Sequence, residues 1–217
     1  MNVREDDQLI KAAITGGDDR VIIATKHGQA VYFEENKVRA MGRNSQGVRG
    51  VSLQGDDVVV GMVVVKPEDV EQSHLLTVCA NGYGKRSPIS EYRLTNRGGK
   101  GVINIKTTDR NGPVVSVMGV TEDSRDDMVI VTQNGILIRQ KVAEVSVIGR
   151  NTQGVRLINP DDGDQVIDVA QVVNQDEEED ETAMDATSPE SGDENTAEEN
   201  GKMKALWREV QKRAGWK

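Results

Sequence analysis

The sequence predicts an all-β protein, a partial propeller-like array of three complete four-stranded blades preceded by one leading strand. Three observations point there. A motif recurs three times at a near-constant period. Each copy is made of short Val-, Ile- and Leu-rich runs punctuated by turns, in a chain of 217 residues with 22 glycines and only 3% aromatics. Basic residues gather in the same half of every copy.

The first copy runs from Val21-Ile22-Ile23-Ala24 through Gly28 and Arg43 to Gly47-Val48. The second runs from Leu75-Leu76-Thr77-Val78 through Gly82 and Arg97 to Gly101-Val102, and the third from Met128-Val129-Ile130-Val131 through Gly135 and Arg150 to Gly154-Val155. Within each copy the two glycines stand 19 residues apart with the arginine four before the second, and the copies are offset by 54 and 53 residues. That many matches at a constant spacing mark a structural repeat.

Each repeat reads as four short strands. In the third copy these are 128–132, 136–140, 154–158 and 165–170, with Asn134-Gly135 as a hairpin turn, because Asn and Gly adopt positive φ at little cost. Asn81-Gly82 and His27-Gly28 hold the same place in the other copies. The last strand of each unit follows Asp57, Gly112 or Asp164. Asp7-Gln8-Leu9-Ile10 looks like a further copy of that last strand, so the chain is expected to open inside a repeat. Propeller rings take about four to eight blades, so three are expected to form part of a larger ring.

Composition sets the domain boundaries and excludes several function classes. Residues 1–175 carry 21 basic and 23 acidic side chains, whereas 176–200 carry 12 acidic and no basic ones. The organisation expected is a folded domain over 1–172, with blades near 18–70, 72–122 and 125–172, then a disordered acidic tail over 173–200. Residues 201–217 swing back to a net +5 and read as a short basic amphipathic helix, with Met203, Leu206, Trp207 and Val210 on one stripe. No apolar run is long enough for a membrane span and no signal-peptide core follows the N-terminus, so no membrane partner is expected. The lone cysteine, Cys79, lies in a Val-rich run and reads as a buried small hydrophobe in a reducing, cytoplasmic compartment. His27 and His74 have no metal-ligand spacing, and Gly98-Gly99-Lys100-Gly101 lacks the frame of a phosphate-binding P-loop, so no cofactor is expected in this chain.

Charge placement carries the functional argument. Segments 28–53, 82–106 and 135–157 hold fourteen basic and four acidic residues, a net of +10, while the rest of the chain before residue 176 nets −12. The basic set comprises Lys37, Arg39, Arg43 and Arg49; Lys85, Arg86, Arg93, Arg97, Lys100 and Lys106; and Arg139, Lys141, Arg150 and Arg156. Stacked repeats place equivalent positions on equivalent parts of a rim, so this periodicity predicts a basic stripe. Such a stripe suits a phosphate backbone, which presents negative charge at regular intervals and needs no base-edge chemistry. The residues assigned to DNA contact are Arg39, Arg43, Arg49, Lys85, Arg86, Arg93, Arg97, Lys100, Arg139, Arg150 and Arg156. The acidic tail admits two readings: it keeps the chain soluble, or its carboxylates compete with phosphates for the same stripe.

At Met41-Gly42-Arg43-Asn44-Ser45-Gln46-Gly47-Val48-Arg49, Asn81-Gly82-Tyr83-Gly84-Lys85-Arg86 and Ile148-Gly149-Arg150-Asn151-Thr152-Gln153-Gly154-Val155, the chain resembles the C-terminal domain of the DNA gyrase A protein, part of a bacterial type II topoisomerase. The resemblance covers about residues 5 to 172 and implies a β-pinwheel, of which these would be the last three blades. That family's signature heptapeptide is Gln-Arg-Arg-Gly-Gly-Lys-Gly, and the nearest match is Thr95-Asn96-Arg97-Gly98-Gly99-Lys100-Gly101, which departs at its first two positions. The resemblance further implies a DNA-wrapping accessory role in negative supercoiling. The partners it implies are double-stranded DNA, the gyrase A breakage-reunion domain and the gyrase B subunit, in the bacterial cytoplasm at the nucleoid. ATP and magnesium would belong to the rest of that enzyme. Strand cleavage in such enzymes uses a tyrosine on a separate domain, whereas Tyr32, Tyr83 and Tyr92 all fall inside the repeats, so no catalytic residue is expected here. Two alternatives remain open at this point: the corresponding domain of topoisomerase IV, and a protein-binding propeller fragment that grips an acidic partner.

Overall fold

The computed structural model of the chain describes residues 3, 5 and 7–173; the acidic tail and the terminal helix expected from the sequence lie outside the described residues. Eleven strands make up the described part: β1 (Arg20–Thr25), β2 (Gln29–Glu34), β3 (Val59–Val65), β4 (Ser73–Cys79), β5 (Tyr83–Pro88), β6 (Val102–Ile103), β7 (Val114–Thr121), β8 (Asp127–Thr132), β9 (Leu137–Lys141), β10 (Val155–Arg156) and β11 (Val166–Val172). They form three antiparallel sheets, ordered β3-β1-β2-β6, β7-β4-β5-β10 and β11-β8-β9. The all-β, blade-repeat architecture is therefore present.

The local logic of each sheet is a hairpin closed by a glycine turn. The amides of Gly28, Gly82 and Gly135 bond back to the carbonyls of Thr25, Cys79 and Thr132 at 3.0–3.1 Å. Two acidic side chains lock such turns from outside: Asp57 accepts from the His27 amide at 2.8 Å and Asp164 from the Asn134 amide at 3.0 Å. The acidic residues beside the turns are thus partly structural. The third strand of each sheet then returns along the hairpin's other edge, with a register shift at Ala24/Thr25 in the first sheet and at the equivalent Val78/Cys79 in the second.

The strand that follows the second glycine of a repeat, expected at 154–158 in the third copy, departs from the sequence expectation. It pairs with the preceding repeat and not with its own: β6, from the second repeat, adds to β2, and β10, from the third, adds to β5. The two crossings match bond for bond. Asn104 and Ile105 donate their amides to the Gly28 carbonyl at 2.8 and 3.2 Å, and Leu157 and Ile158 donate theirs to the Gly82 carbonyl at 2.9 and 3.2 Å. Upstream of each crossing strand, the Thr95 amide reaches the Tyr32 carbonyl at 2.8 Å and the Ile148 amide reaches the Arg86 carbonyl at 2.9 Å. Two sheets therefore have four strands and the third has three among the described residues. Residues 47–50 of the first repeat, the equivalent of β6 and β10, form no strand. Asp7–Ile10, expected as a leading strand, is also irregular and exposed, because no hairpin of its own repeat lies beside it among the described residues.

Crossing requires close backbone approach. Gly101 and Gly154, which begin the two crossing strands, have φ of +83° and +80°, and a Cβ at either would lie 2.4 Å from the Ala30 carbonyl oxygen or 2.8 Å from that of Gly84. Gly47 has the same φ of +83° and nothing within 4 Å.

Apolar side chains fill the spaces between sheets. Ile22, Tyr32 and Val63 of the first sheet meet Leu75, Cys79 and Val117 of the second. Leu76, Val78 and Met118 on the second sheet's other face meet Met128, Ile130 and Val169 of the third. All seven residues of β4 are buried, as expected for a strand packed on both faces. Burial pushes the Cys79 thiol up to about 12, consistent with an inert small hydrophobe. Strands β3 and β7 pack at the hub, where Gly61 sits against Val117 and Gly119 against Val63, each leaving no room for a side chain.

Lys85 and Arg86 of β5, both assigned to DNA contact from sequence, belong to this interior. Lys85 is 0% exposed, and its Nζ donates to the carbonyls of Gly149 and Arg150 at 2.8 and 2.6 Å. Arg86, 6% exposed, donates from Nε to the Val145 carbonyl at 2.8 Å and from its terminal nitrogens to the Ala143 and Glu122 carbonyls at 3.0 and 3.3 Å. Their charge is committed to holding the incoming loop of the third repeat, which turns neither side chain toward an outside phosphate.

The crossing strands and the buried lysine are each open to a stability measurement. Gly101→Ala combines the φ penalty with a backbone collision and is expected to cost about 1–3 kcal/mol more than Gly47→Ala, which has only the φ penalty, in paired urea unfolding curves; equal losses would contradict the docking geometry. Burial lowers the Lys85 pKa to about 8 from the usual 10.5. Between those values the unfolded chain binds more protons, so this group makes stability rise with pH across pH 8 to 10.5. Lys85→Met removes that slope, so the stability difference should move in favour of the parent chain over that window, by at most about 3 kcal/mol. A pH-independent difference would show that Lys85 is not held in this environment.

Candidate nucleic-acid interface

Sheet order fixes where the basic segments lie. With β3 and β7 at the hub, the far edge of each four-stranded sheet is the crossing strand, β6 or β10. The loops that lead into these strands, 92–101 and 145–154, therefore run along the outer rim; the first carries Arg93, Arg97 and Lys100, the second Arg150, and neither has an acidic residue.

Within these loops the repeated arginines clamp one repeat to the next. Arg97 donates from Nε to the Lys37 carbonyl at 2.9 Å and from Nη1 to the Arg49 carbonyl at 3.1 Å. Arg150 donates from Nε to the Glu91 carbonyl at 3.2 Å and from Nη1 to the Ile103 carbonyl at 2.9 Å. Glu91 and Ile103 stand 54 residues after Lys37 and Arg49, so the two clamps use equivalent acceptors. The Gly-Gly-Lys stretch of the second repeat is fixed in the same way: the Gly98 amide bonds the Gly50 carbonyl at 2.6 Å, and the Ser52 amide bonds the Gly99 carbonyl at 2.8 Å. Arg97 and Arg150 are half-buried, and each gives two of its five side-chain N–H donors to these carbonyls, which holds the rim together.

Arg39, Arg43, Arg49, Arg93, Lys100 and Arg156 are exposed, and among the described residues none forms an ion pair. They are the side chains best placed to meet an external anion. Arg139 differs, since its Nε donates to Asp127 Oδ2 at 2.6 Å, which neutralises much of its charge. The eleven assigned residues thus divide into six on the surface without a carboxylate partner, two clamps, two buried staples and one ion pair.

Sequence reasoning missed one arginine. Arg110 lies outside the repeated basic half, in the 106–113 turn, where the offset of 54 would align it with Asp56, so periodicity gives no signal for it. Its guanidinium carbon lies 4.9 Å from the centroid of the Tyr83 ring, and that of Arg156 lies 5.1 Å from the same centroid. No group of three or more His, Cys, Asp or Glu side chains able to hold a metal occurs among the described residues. Nor is any described helix long and apolar enough to cross a membrane. What the rim can do chemically is bind an extended anion through distributed cations.

Comparisons with known proteins agree with the fold. The family model for the DNA gyrase C-terminal domain, beta-propeller, matches residues 19–66, 73–121 and 126–172, one match per repeat. The DNA gyrase A protein of Staphylococcus epidermidis is 43% identical over 177 residues, covering 82% of this chain and 19% of that protein. The Salmonella typhimurium gyrase A protein is 42% identical over 199 residues, covering 92% of this chain and 22% of its own length. The chain thus spans about a fifth of the curated relatives it matches. A solved DNA gyrase A C-terminal domain superposes with a TM-score of 0.64 at 31% identity, covering 72% of this chain and 51% of the other. The C-terminal domain of a DNA topoisomerase IV superposes with a TM-score of 0.72 over 79% of this chain and 52% of the other, at 21% identity, which is a likeness of fold. On three successive repeat matches and close relatives over most of its length, the chain belongs to the DNA gyrase A C-terminal domain family.

Proposed function

We infer that this domain binds duplex DNA through its phosphate backbone without sequence preference, wraps it along the rim, and so supports negative supercoiling by an ATP-dependent gyrase. The observation that carries the reading is the set of exposed cations, Arg39, Arg43, Arg49, Arg93, Lys100 and Arg156, drawn from all three repeats and without an ion-pair partner among the described residues. Cations spaced along a curved edge gain by releasing counterions from DNA, and distributed contacts offset a bending cost of several kcal/mol. Identity of 42–43% to gyrase A proteins favours gyrase over topoisomerase IV as the parent enzyme. The partners of this reading are the gyrase A breakage-reunion domain and the gyrase B subunit, in the bacterial cytoplasm at the nucleoid. Strand cleavage and the use of ATP and magnesium belong to those partners, which makes this domain a non-catalytic part of the enzyme.

Titration of duplexes of unrelated sequence against salt tests the binding. Affinity is expected to fall steeply, with a slope of log affinity on log salt approaching about −5 if all six cations touch phosphates. Arg93→Ala and Lys100→Ala should each reduce the magnitude of that slope by about 1 on every sequence tried. Absence of duplex binding at low salt would sink the reading and favour an acidic protein partner. Wrapping has its own measurement, because circles relaxed by a nicking-closing enzyme in the domain's presence should gain supercoils of a single handedness; no change in linking number would limit the domain to binding.

A further inference from the structure

Tyr83, Arg110 and Arg156 form a cluster that the repeat does not explain. Tyr83 opens β5 and is 4% exposed. Arg156 lies on β10, the strand that crosses from the third repeat, and donates to the Tyr83 hydroxyl at 2.7 Å and to Asn159 Oδ1. Arg110 reaches the same ring from the 106–113 turn. That turn is anchored to the third repeat by two bonds, the Lys106 amide to the Thr152 carbonyl at 2.8 Å and Asn111 Nδ2 to the Gln153 carbonyl at 3.0 Å. Asn111 is fully buried, so the position of Arg110 is set from inside the fold.

Two guanidinium groups on one ring repel each other, and no carboxylate among the described residues pairs with either. The ring face and hydroxyl hold both cations without cancelling their charge. The guanidinium groups of Arg110 and Arg156 in turn hold the Tyr83 phenol below its usual range. What relieves such a pair is an anion with several oxygens, and a phosphodiester presents two non-bridging oxygens that suit the planar donor fork of arginine. Residues at the positions equivalent to Tyr83 are Gln29 and Ile136, and Ile103 is equivalent to Arg156 in the second repeat, so the arrangement occurs once among the three repeats.

Building on the DNA-binding reading, we propose that Arg110 and Arg156, gathered on the Tyr83 ring where the second and third repeats join, form a phosphodiester clamp that anchors duplex DNA at one point of the rim. The clamp exists only when β10 is docked, so it reports that two adjacent blades are correctly joined. The other rim cations contribute diffuse attraction, and this pair contributes a fixed contact.

The test uses the full chain labelled with 3-fluorotyrosine and a short duplex as probe. Tyr83→Phe assigns the Tyr83 fluorine resonance, which should move on duplex addition while those of Tyr32 and Tyr92, over whose rings no arginine lies among the described residues, stay in place. Arg110→Gln and Arg156→Gln should each reduce the salt slope by about 1, and the double variant by about 2. Urea midpoints check folding, and Arg110→Gln carries the test if Arg156→Gln weakens strand docking. A Tyr83 resonance that stays still while the duplex binds, or slopes unchanged in the variants, overturns the clamp and leaves the DNA-binding reading standing. Failure of the parent chain to bind any duplex overturns both.

Discussion

The carbonyl oxygens of Gly28 and Gly82 each accept two backbone amides from the repeat that follows, and the rest of the molecule is arranged around these crossings. A four-stranded sheet in this chain is a joint product of two repeats. The exchange replaces an exposed edge on β2 and β5 with a paired one, which removes the liability that an open sheet edge carries. It also ties neighbouring blades by backbone hydrogen bonds in addition to apolar packing, so the relative placement of two blades is set by ladder register. Glycine at the first position of each crossing strand follows from the same requirement, since the incoming backbone passes too close to a carbonyl oxygen to carry a side chain.

The rim's chemistry descends from this arrangement. The loops that reach the previous sheet lie at the sheet edges farthest from β3 and β7, and the cations on these loops and on the strands beneath them serve two purposes. Lys85, Arg86, Arg97 and Arg150 spend their donors on carbonyls of the neighbouring repeat, where they satisfy acceptors that irregular backbone leaves open. Arg39, Arg43, Arg49, Arg93 and Lys100 keep theirs for solvent or a ligand, and Arg156 rests on the Tyr83 ring with its charge uncancelled. Positive charge is therefore retained at the surface although several of the basic residues are structural. Asp57 and Asp164 likewise work as turn locks, so counting acids and bases overstates how much charge of either sign is available to a partner.

Much of this was legible from residue spacing. The glycine-to-glycine interval of 19 and the offsets of 54 and 53 located the repeats, the hairpin turns and the position of the strand after the second glycine. The partner of that strand was not legible, because a strand that pairs within its own repeat and one that pairs with the previous repeat generate the same period. For Lys85 and Arg86 the difficulty was of another kind: their partners are main-chain carbonyls more than thirty positions away, which carry no sequence signal, so charge pattern alone placed both side chains outside. Arg110 shows the converse limit. Aligned by offset with Asp56, it has no counterpart of like charge, and only the proximity of its guanidinium to the Tyr83 ring singles it out.

Because the second repeat gives a strand to the first and receives one from the third, the boundaries of sequence units and of sheets are out of step by one strand. A genetic duplication or deletion of one period of about 54 residues adds or removes a donor segment and an acceptor hairpin together. Each hairpin that has a repeat after it still finds a strand of the same glycine-led type, whichever point in the period the recombination joint falls on. Blade number in such an array can then change by whole-period recombination without any interface being redesigned, and the arc of rim offered to a polyanion lengthens or shortens one blade at a time.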